Sequence, residues 1–128
     1  MTRVLLDTHA FLWGIADDPR LSTRARRAIA AAGDRYVSVA SCWEMAIKTS
    51  LGRLTMPRPM ERFLAEQLGV NGCRLLHIDL DDVATVAALP FHHRDPFDRM
   101  LVAQALSEEL TIVSADSVFE KYGVKRVW

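Results

Sequence analysis

Cysteine is scarce in this chain: Cys42 and Cys73 are the only two, and neither belongs to a CxxC or accompanies a histidine pair at metal-ligand spacing. That argues against a disulfide framework and a structural zinc site, and a reducing cytoplasm is expected. Long apolar runs are also missing. The N-terminal stretch from Val4 to Ile15 is broken by Asp7 and His9, has no small-residue cleavage site and is too short to cross a bilayer, so neither secretion nor membrane insertion is expected. There is no net charge, since Lys plus Arg and Asp plus Glu both number 16, and the global balance argues neither for nor against a polyanionic partner. No repeat, low-complexity tract or linker divides the chain. Its 128 residues, 50% hydrophobic and 25% charged, suit one core, and a single domain over 1–128 is expected.

Within that ordinary composition, strand and helix signals alternate. Arg3 to Leu6 suits a short buried strand and Thr8 to Ile15 a short helix, followed by a turn at Asp17, Asp18 and Pro19 and a helix from Ser22 through Ala32. Tyr36 to Val39 is a second strand, Ser41 opens a helix through Leu51, and a helix beginning at Pro59 runs through Leu68 before a loop at Gly69, Asn71 and Gly72. Leu75 to Ile78 is the third strand, and the helix after it opens with acids at Asp79, Asp81 and Asp82. Asp95 and Pro96 cap a helix running to Glu109, Thr111 to Val113 is the fourth strand, and Val124 to Val127 adds an edge strand. This order implies an α/β three-layer sandwich, with a mostly parallel sheet of four or five strands between helices.

Sites in such sheets form beyond the C-terminal strand ends. Asp7 directly follows the first strand, Asp116 lies just past the fourth, and Glu44 and Asp98 fall in the first turns of helices whose N-termini can face the same rim. Each acid has a local explanation as well: Asp7 and Asp116 can cap the helices after them, Ser41 with Glu44 matches a capping box, and Asp98 sits three residues after its cap. Capping does not require four helix starts to use acids at one end of one sheet. A cluster of carboxylates does require a cation, and hard oxygen ligands select Mg²⁺ or Mn²⁺, which suits phosphodiester chemistry. Asp95, followed by Pro96, is assigned to capping alone.

Four stretches carry a family resemblance: LLDTHAFLW from Leu5, SVASCWEMAIKTSLGRL from Ser38, HRDPFDRMLVAQA from His93 and TIVSADSVFEKYG from Thr111. Together they resemble the PIN-domain ribonucleases, specifically VapC-type toxins of type II toxin-antitoxin pairs, over essentially the whole chain. The resemblance implies a PIN-like sandwich and an Mg²⁺- or Mn²⁺-dependent endoribonuclease with Asp7, Glu44, Asp98 and Asp116 as its acidic quartet. Asp7, Asp98 and Asp116 are placed nearest the metal, with Glu44 as a ligand or water-orienting group. It further implies a VapB-like antitoxin that covers the site, a homodimer, an RNA substrate, and operator DNA bound only through the antitoxin. The alternative is a catalytically degenerate PIN-like module that binds RNA or protein.

Neighbouring residues divide between roles. Thr8 and Ser114 can hydrogen-bond the carboxylates or the substrate, Lys48 can pair with Glu44 four residues earlier or contact phosphate, and Arg99 can reach RNA or sit on the surface. His92 and His93 are assigned to a loop outside the site. Phe11, Trp13 and Trp43 are assigned to core or interface. Arg20, Arg24, Arg26, Arg27 and Arg35, continued by Lys48, Arg53, Arg58 and Arg62, form a basic stripe better explained as a solvated face than as a polyanion track. Two other classes fit less well: an aspartyl phosphatase needs a second acid where His9 stands, and a phosphorylation receiver needs an acidic pair where Thr8 follows Asp7.

Overall fold

Alternation along the strands divides the buried side chains between two cores. In the computed structural model, which describes residues 2–128, strand β1 (Arg3–Leu6) sends Val4 and Leu6 into one cluster and Leu5 into the other. The same period-two rule sends Val37 of β2 (Asp34–Ser38) and Val113 of β4 (Thr111–Val113) to the first side. Tyr36 and Ile112 go to the second. With β3 (Cys73–Leu76) and β5 (Arg126–Val127), these strands form a five-stranded sheet in the order β3-β2-β1-β4-β5, parallel throughout. The expected edge strand is therefore present, paired to β4.

Among the described residues, seven helices complete the fold: α1 (Thr8–Ile15), α2 (Thr23–Ala31), α3 (Val39–Ser50), α4 (Met60–Val70), α5 (Leu80–Ala88), α6 (Pro96–Glu108) and α7 (Val118–Lys121). The first core holds Phe11, Leu21, Met45 and Leu64 from α1 through α4 and their links. The second holds Leu101, Val102 and Ala105 of α6 with Phe119 of α7. Consecutive buried positions Leu101 to Ala105 show that α6 is enclosed on most of its circumference. Among the described residues, no helix is long and apolar enough to cross a membrane.

Some boundaries differ from the sequence expectations for physical reasons. Strand β2 begins at Asp34, and α3 begins at Val39 because the Ser38 hydroxyl caps it by accepting the Ala40 N–H at 3.0 Å. Ser41 is thus already helical and its buried hydroxyl has no partner, which overturns the expected capping box with Glu44 and moves Glu44 into the second turn. Strand β3 starts at Cys73, two residues early, because its register pairs Cys73 with Arg35. Helix α4 continues through Gly69 to Val70 rather than stopping at Leu68. The short α7 follows Asp116, where the sequence implied a helix without giving its bounds.

The chain moves from β1 outward through β2 to β3, then returns to β1's other side with β4. That reversal opens the sheet's carboxyl edge between β1 and β4. Asp7 stands at one lip and the segment after Val113 at the other.

Candidate active site

Asp7 is only 8% exposed, at the junction of β1 and α1. One of its oxygens accepts the Ala10 N–H at 2.8 Å, as an N-cap should. Asp116, beyond β4, likewise gives one oxygen to the Val118 N–H at 2.9 Å. Asp7 thus caps its helix as expected, whereas Asp116 lies one residue before the Ser117 N-cap of α7 and closes a turn onto Val118; each contact uses one carboxylate oxygen. Ser114, fully buried, joins the two loops: its hydroxyl accepts the Asp116 N–H at 3.0 Å and favours the ionised form of Asp7. Burial still dominates at Asp7 and holds its carboxyl above the usual range, with repulsion from Glu44 adding to it.

Glu44 reaches the same region from α3. The Thr8 hydroxyl donates to one of its oxygens at 2.6 Å, and Lys48, one turn later, approaches the other at 3.0 Å. The Thr8 contact spans 36 positions of sequence and ties α1 to α3. The contact partner of α3 on the other side is α6. Trp43 and Phe97 meet edge to face at 5.2 Å between ring centres, and the residues directly after them are Glu44 and Asp98. Trp43 is 60% exposed, so this contact sits at the surface and not in the core.

Asp98 carries the strongest electrostatic signature of the site. Its backbone N–H is capped by Asp95 at 2.9 Å, as expected for an Asp-Pro helix start. Its side chain is partly buried, and burial, followed by the fields of Asp95, Asp7, Glu44 and Asp116, pushes its carboxyl up to about 7. Asp98 therefore feels the other three members of the expected quartet, and Asp7 also feels Glu44. Asp95 contributes to that field while also acting as a cap.

Two assignments change. Arg99 is 4% exposed, and its guanidinium donates to the Pro90, Val86 and Leu89 carbonyls at 2.8 to 3.2 Å and stacks on Phe91. It closes the α5–α6 connection, so neither an RNA contact nor a surface position describes it. His93, assigned to a loop outside the site, instead places Nε2 3.4 Å from an Asp98 oxygen. Only tertiary contact reveals that proximity. Part of the basic stripe is occupied: Arg20 pairs with Asp18, Arg26 with Asp17, Lys48 with Glu44, and Arg35 donates to the Ile29 and Ala30 carbonyls.

The donor set, all hard carboxylate oxygens, suits Mg²⁺ or Mn²⁺. Among the described residues, no three histidine, cysteine or carboxylate side chains converge tightly enough to enclose an ion unaided. Cavity size does not mark this rim: a cavity of about 500 Å³ between α1, α2 and the α4–β3 turn contains none of the four acids. A neighbouring groove of about 420 Å³ is lined by His9, Trp13, Lys48, Arg53 and Phe63, among others.

An α/β sheet with four acids gathered at its carboxyl edge defines the class, and a family model for the PIN domain matches residues 4–125. The chain belongs to the PIN-domain family. It is 34% identical, over 117 residues, to ribonuclease VapC22 of Mycobacterium tuberculosis, covering 91% of this chain and 88% of that protein. Its fold is similar to a VapBC complex of Salmonella typhimurium bound to DNA, with a TM-score of 0.70 at 19% identity over 98% of this chain and 97% of that one. VapBC2 of Rickettsia felis, bound to a promoter fragment, gives 0.69 at 12% identity over the same shares.

Proposed function

We propose that this chain is a divalent-metal-dependent endoribonuclease and the toxin of a VapBC-type toxin–antitoxin pair. The observation that carries the reading is positional: Asp7 ends β1, Asp116 follows β4, and Glu44 and Asp98 come from the contacting helices α3 and α6, where burial and the fields of the surrounding acids raise the Asp98 carboxyl to about 7. Such a group of acids is a poor neighbour for itself and a good one for a cation. Similarity to ribonuclease VapC22 supports RNA as the polymer cut.

Asp7, Asp98 and Asp116 would hold the ion, and Glu44 would orient water beside it. When bound, Mg²⁺ or Mn²⁺ supplies a more acidic water and offsets charge on the phosphate oxygens. Asp7 and Asp116 stay fixed through the backbone N–H groups that donate to them. Thr8 and Lys48 restrain Glu44 from both of its oxygens, so its carboxylate presents a set direction to an incoming water. Ser114 accepts the Asp116 N–H and, by hydrogen bonding, favours the ionised Asp7 carboxylate on the β1 lip. The groove with Lys48 and Arg53 gives an RNA strand a cationic approach to Glu44.

The natural partner in this reading is a VapB-like antitoxin that places a basic side chain among the carboxylates and replaces the cation. Toxin subunits pair as homodimers, and operator DNA is bound through the antitoxin. One observation favours the alternative of a catalytically degenerate PIN-like binding module: the absence of a tight trio of ligands among the described residues. Purified wild type, D7N and D98N incubated with structured RNAs in Mg²⁺, Mn²⁺ or EDTA separate the two. The nuclease reading requires metal-dependent cleavage by wild type and a loss of about 100-fold or more in either variant. Equal cleavage by all three would sink it.

A further inference from the structure

The mechanism above leaves unused a buried chain of polar groups behind Asp98. Arg99 Nη1 lies 3.2 Å from the Tyr122 hydroxyl, and the His93 backbone N–H lies 3.3 Å from the same oxygen. The His93 ring nitrogen Nδ1 is 2.8 Å from it, and the His93 carbonyl 3.4 Å. On the far side of the ring, Nε2 approaches Asp98 Oδ2 at 3.4 Å, outside hydrogen-bond geometry, and this buried nitrogen has no hydrogen-bond partner among the described residues.

Counting protons fixes the direction of every contact. A guanidinium and a backbone N–H can only donate, so together they fill the two lone pairs of the Tyr122 oxygen. The single hydroxyl proton must then go to an acceptor, and Nδ1 at 2.8 Å is nearer than the carbonyl at 3.4 Å. A ring whose Nδ1 accepts carries its proton on Nε2. Asp98 Oδ2, 3.4 Å away, is the acceptor within reach of that otherwise unsatisfied N–H.

We propose that Arg99 and Tyr122 hold His93 as its Nε2–H tautomer, and that His93 is a positioning residue which donates to Asp98 Oδ2 and turns the other oxygen of that carboxylate towards the cation. The contact tightens from 3.4 Å when a cation orders the carboxylate, as hydrogen bonds in ligand-free sites commonly do. Outer partners of this kind set the orientation of a ligand, and their loss weakens metal affinity about 10- to 100-fold. The buried position of Arg99 acquires a purpose here, since it is the donor that forces the hydroxyl proton onto the histidine. The positioning role rests on Asp98 being a metal ligand, whereas the tautomer does not.

The test uses the full chain labelled with ¹⁵N-histidine, in EDTA at pH 8, with the His93 signals assigned by their loss in H93Q. Long-range proton–nitrogen correlation should show His93 as the Nε2–H form in wild type and as the Nδ1–H form or a mixture in Y122F. A wild-type Nδ1–H form, or a pattern unchanged in Y122F, overturns the tautomer. Calorimetry with Mn²⁺ alone then reads the positioning role. H93L should bind about 10- to 100-fold more weakly, and H93Q, whose amide keeps a donor near the Nε2 position, should recover most of that loss. Equal affinity in wild type and H93L, or equal loss in both variants, overturns the positioning role. Absence of Mn²⁺ binding by wild type would instead sink the metal-site reading, leaving the tautomer result intact.

Discussion

If the acids around Asp98 disfavour its charge, removing that charge should stabilise the metal-free protein. An aspartate in the unfolded chain ionises near 3.8, whereas in the fold Asp98 is held up to about 7. Below the lower value both states are protonated and nothing is lost. As the pH rises through this window, the unfolded chain binds fewer protons than the native one, so native stability falls and remains lowered above about 7. At about 1.4 kcal/mol per tenfold change in acidity, the ionised form is disfavoured by about 4 kcal/mol, which solvent at the rim reduces to about 2 kcal/mol. Asp98→Asn removes this penalty and loses a helix-dipole contribution of about 0.5 kcal/mol. Thermal unfolding in EDTA at pH 8 should therefore place D98N about 5 °C above wild type, with the gap closing at pH 4. Saturating Mg²⁺ should raise wild type and leave D98N nearly unmoved. A variant that unfolds at or below wild type at pH 8, or a gap independent of pH, would refute the argument.

Two other substitutions probe the supports of the site. Arg99→Met keeps the stem but strands the Pro90, Val86 and Leu89 carbonyls, and urea denaturation should show a loss of about 3 kcal/mol; unchanged stability with weakened RNA binding would return Arg99 to a substrate role. Thr8→Val removes the 2.6 Å bond that orients Glu44, and kcat for RNA cleavage should fall about 10-fold with KM little changed; a selective rise in KM would mean that Thr8 touches substrate instead.

The sequence was most informative where one residue decides a local structure. The compact apolar run of β1, Asp7 directly after it and Asp95-Pro96 at a helix start all lead directly to the observed elements. Boundaries were less legible where two signals compete. Ser38 and Ser41 are both respectable caps, and the choice falls to Ser38 because β2 ends there and its hydroxyl is buried against the Ala40 N–H. At β3, Leu75 is substantially exposed on an edge strand, so hydrophobicity marks that strand poorly.

The site divides in the same manner. The positions of Asp7, Asp98 and Asp116 beside strand or helix ends were legible, that of Glu44 only to within a turn, and the field the other acids exert on Asp98 is a property of the folded chain. Arg99 was illegible because nothing local distinguishes an arginine that serves carbonyls of a preceding helix from one facing solvent. His93 depends on Tyr122, 29 residues away, and no spacing rule connects them.

The central claim is that Asp7, Glu44, Asp98 and Asp116 form one metal site, and paramagnetic broadening of amide signals by substoichiometric Mn²⁺ tests it most directly. Signals of Asp7, Thr8, Glu44, Asp98 and Asp116 should broaden together in wild type and fail to do so in D7N. Broadening centred on the separate acids Asp79, Asp81 and Asp82, or unchanged broadening in D7N, would contradict it.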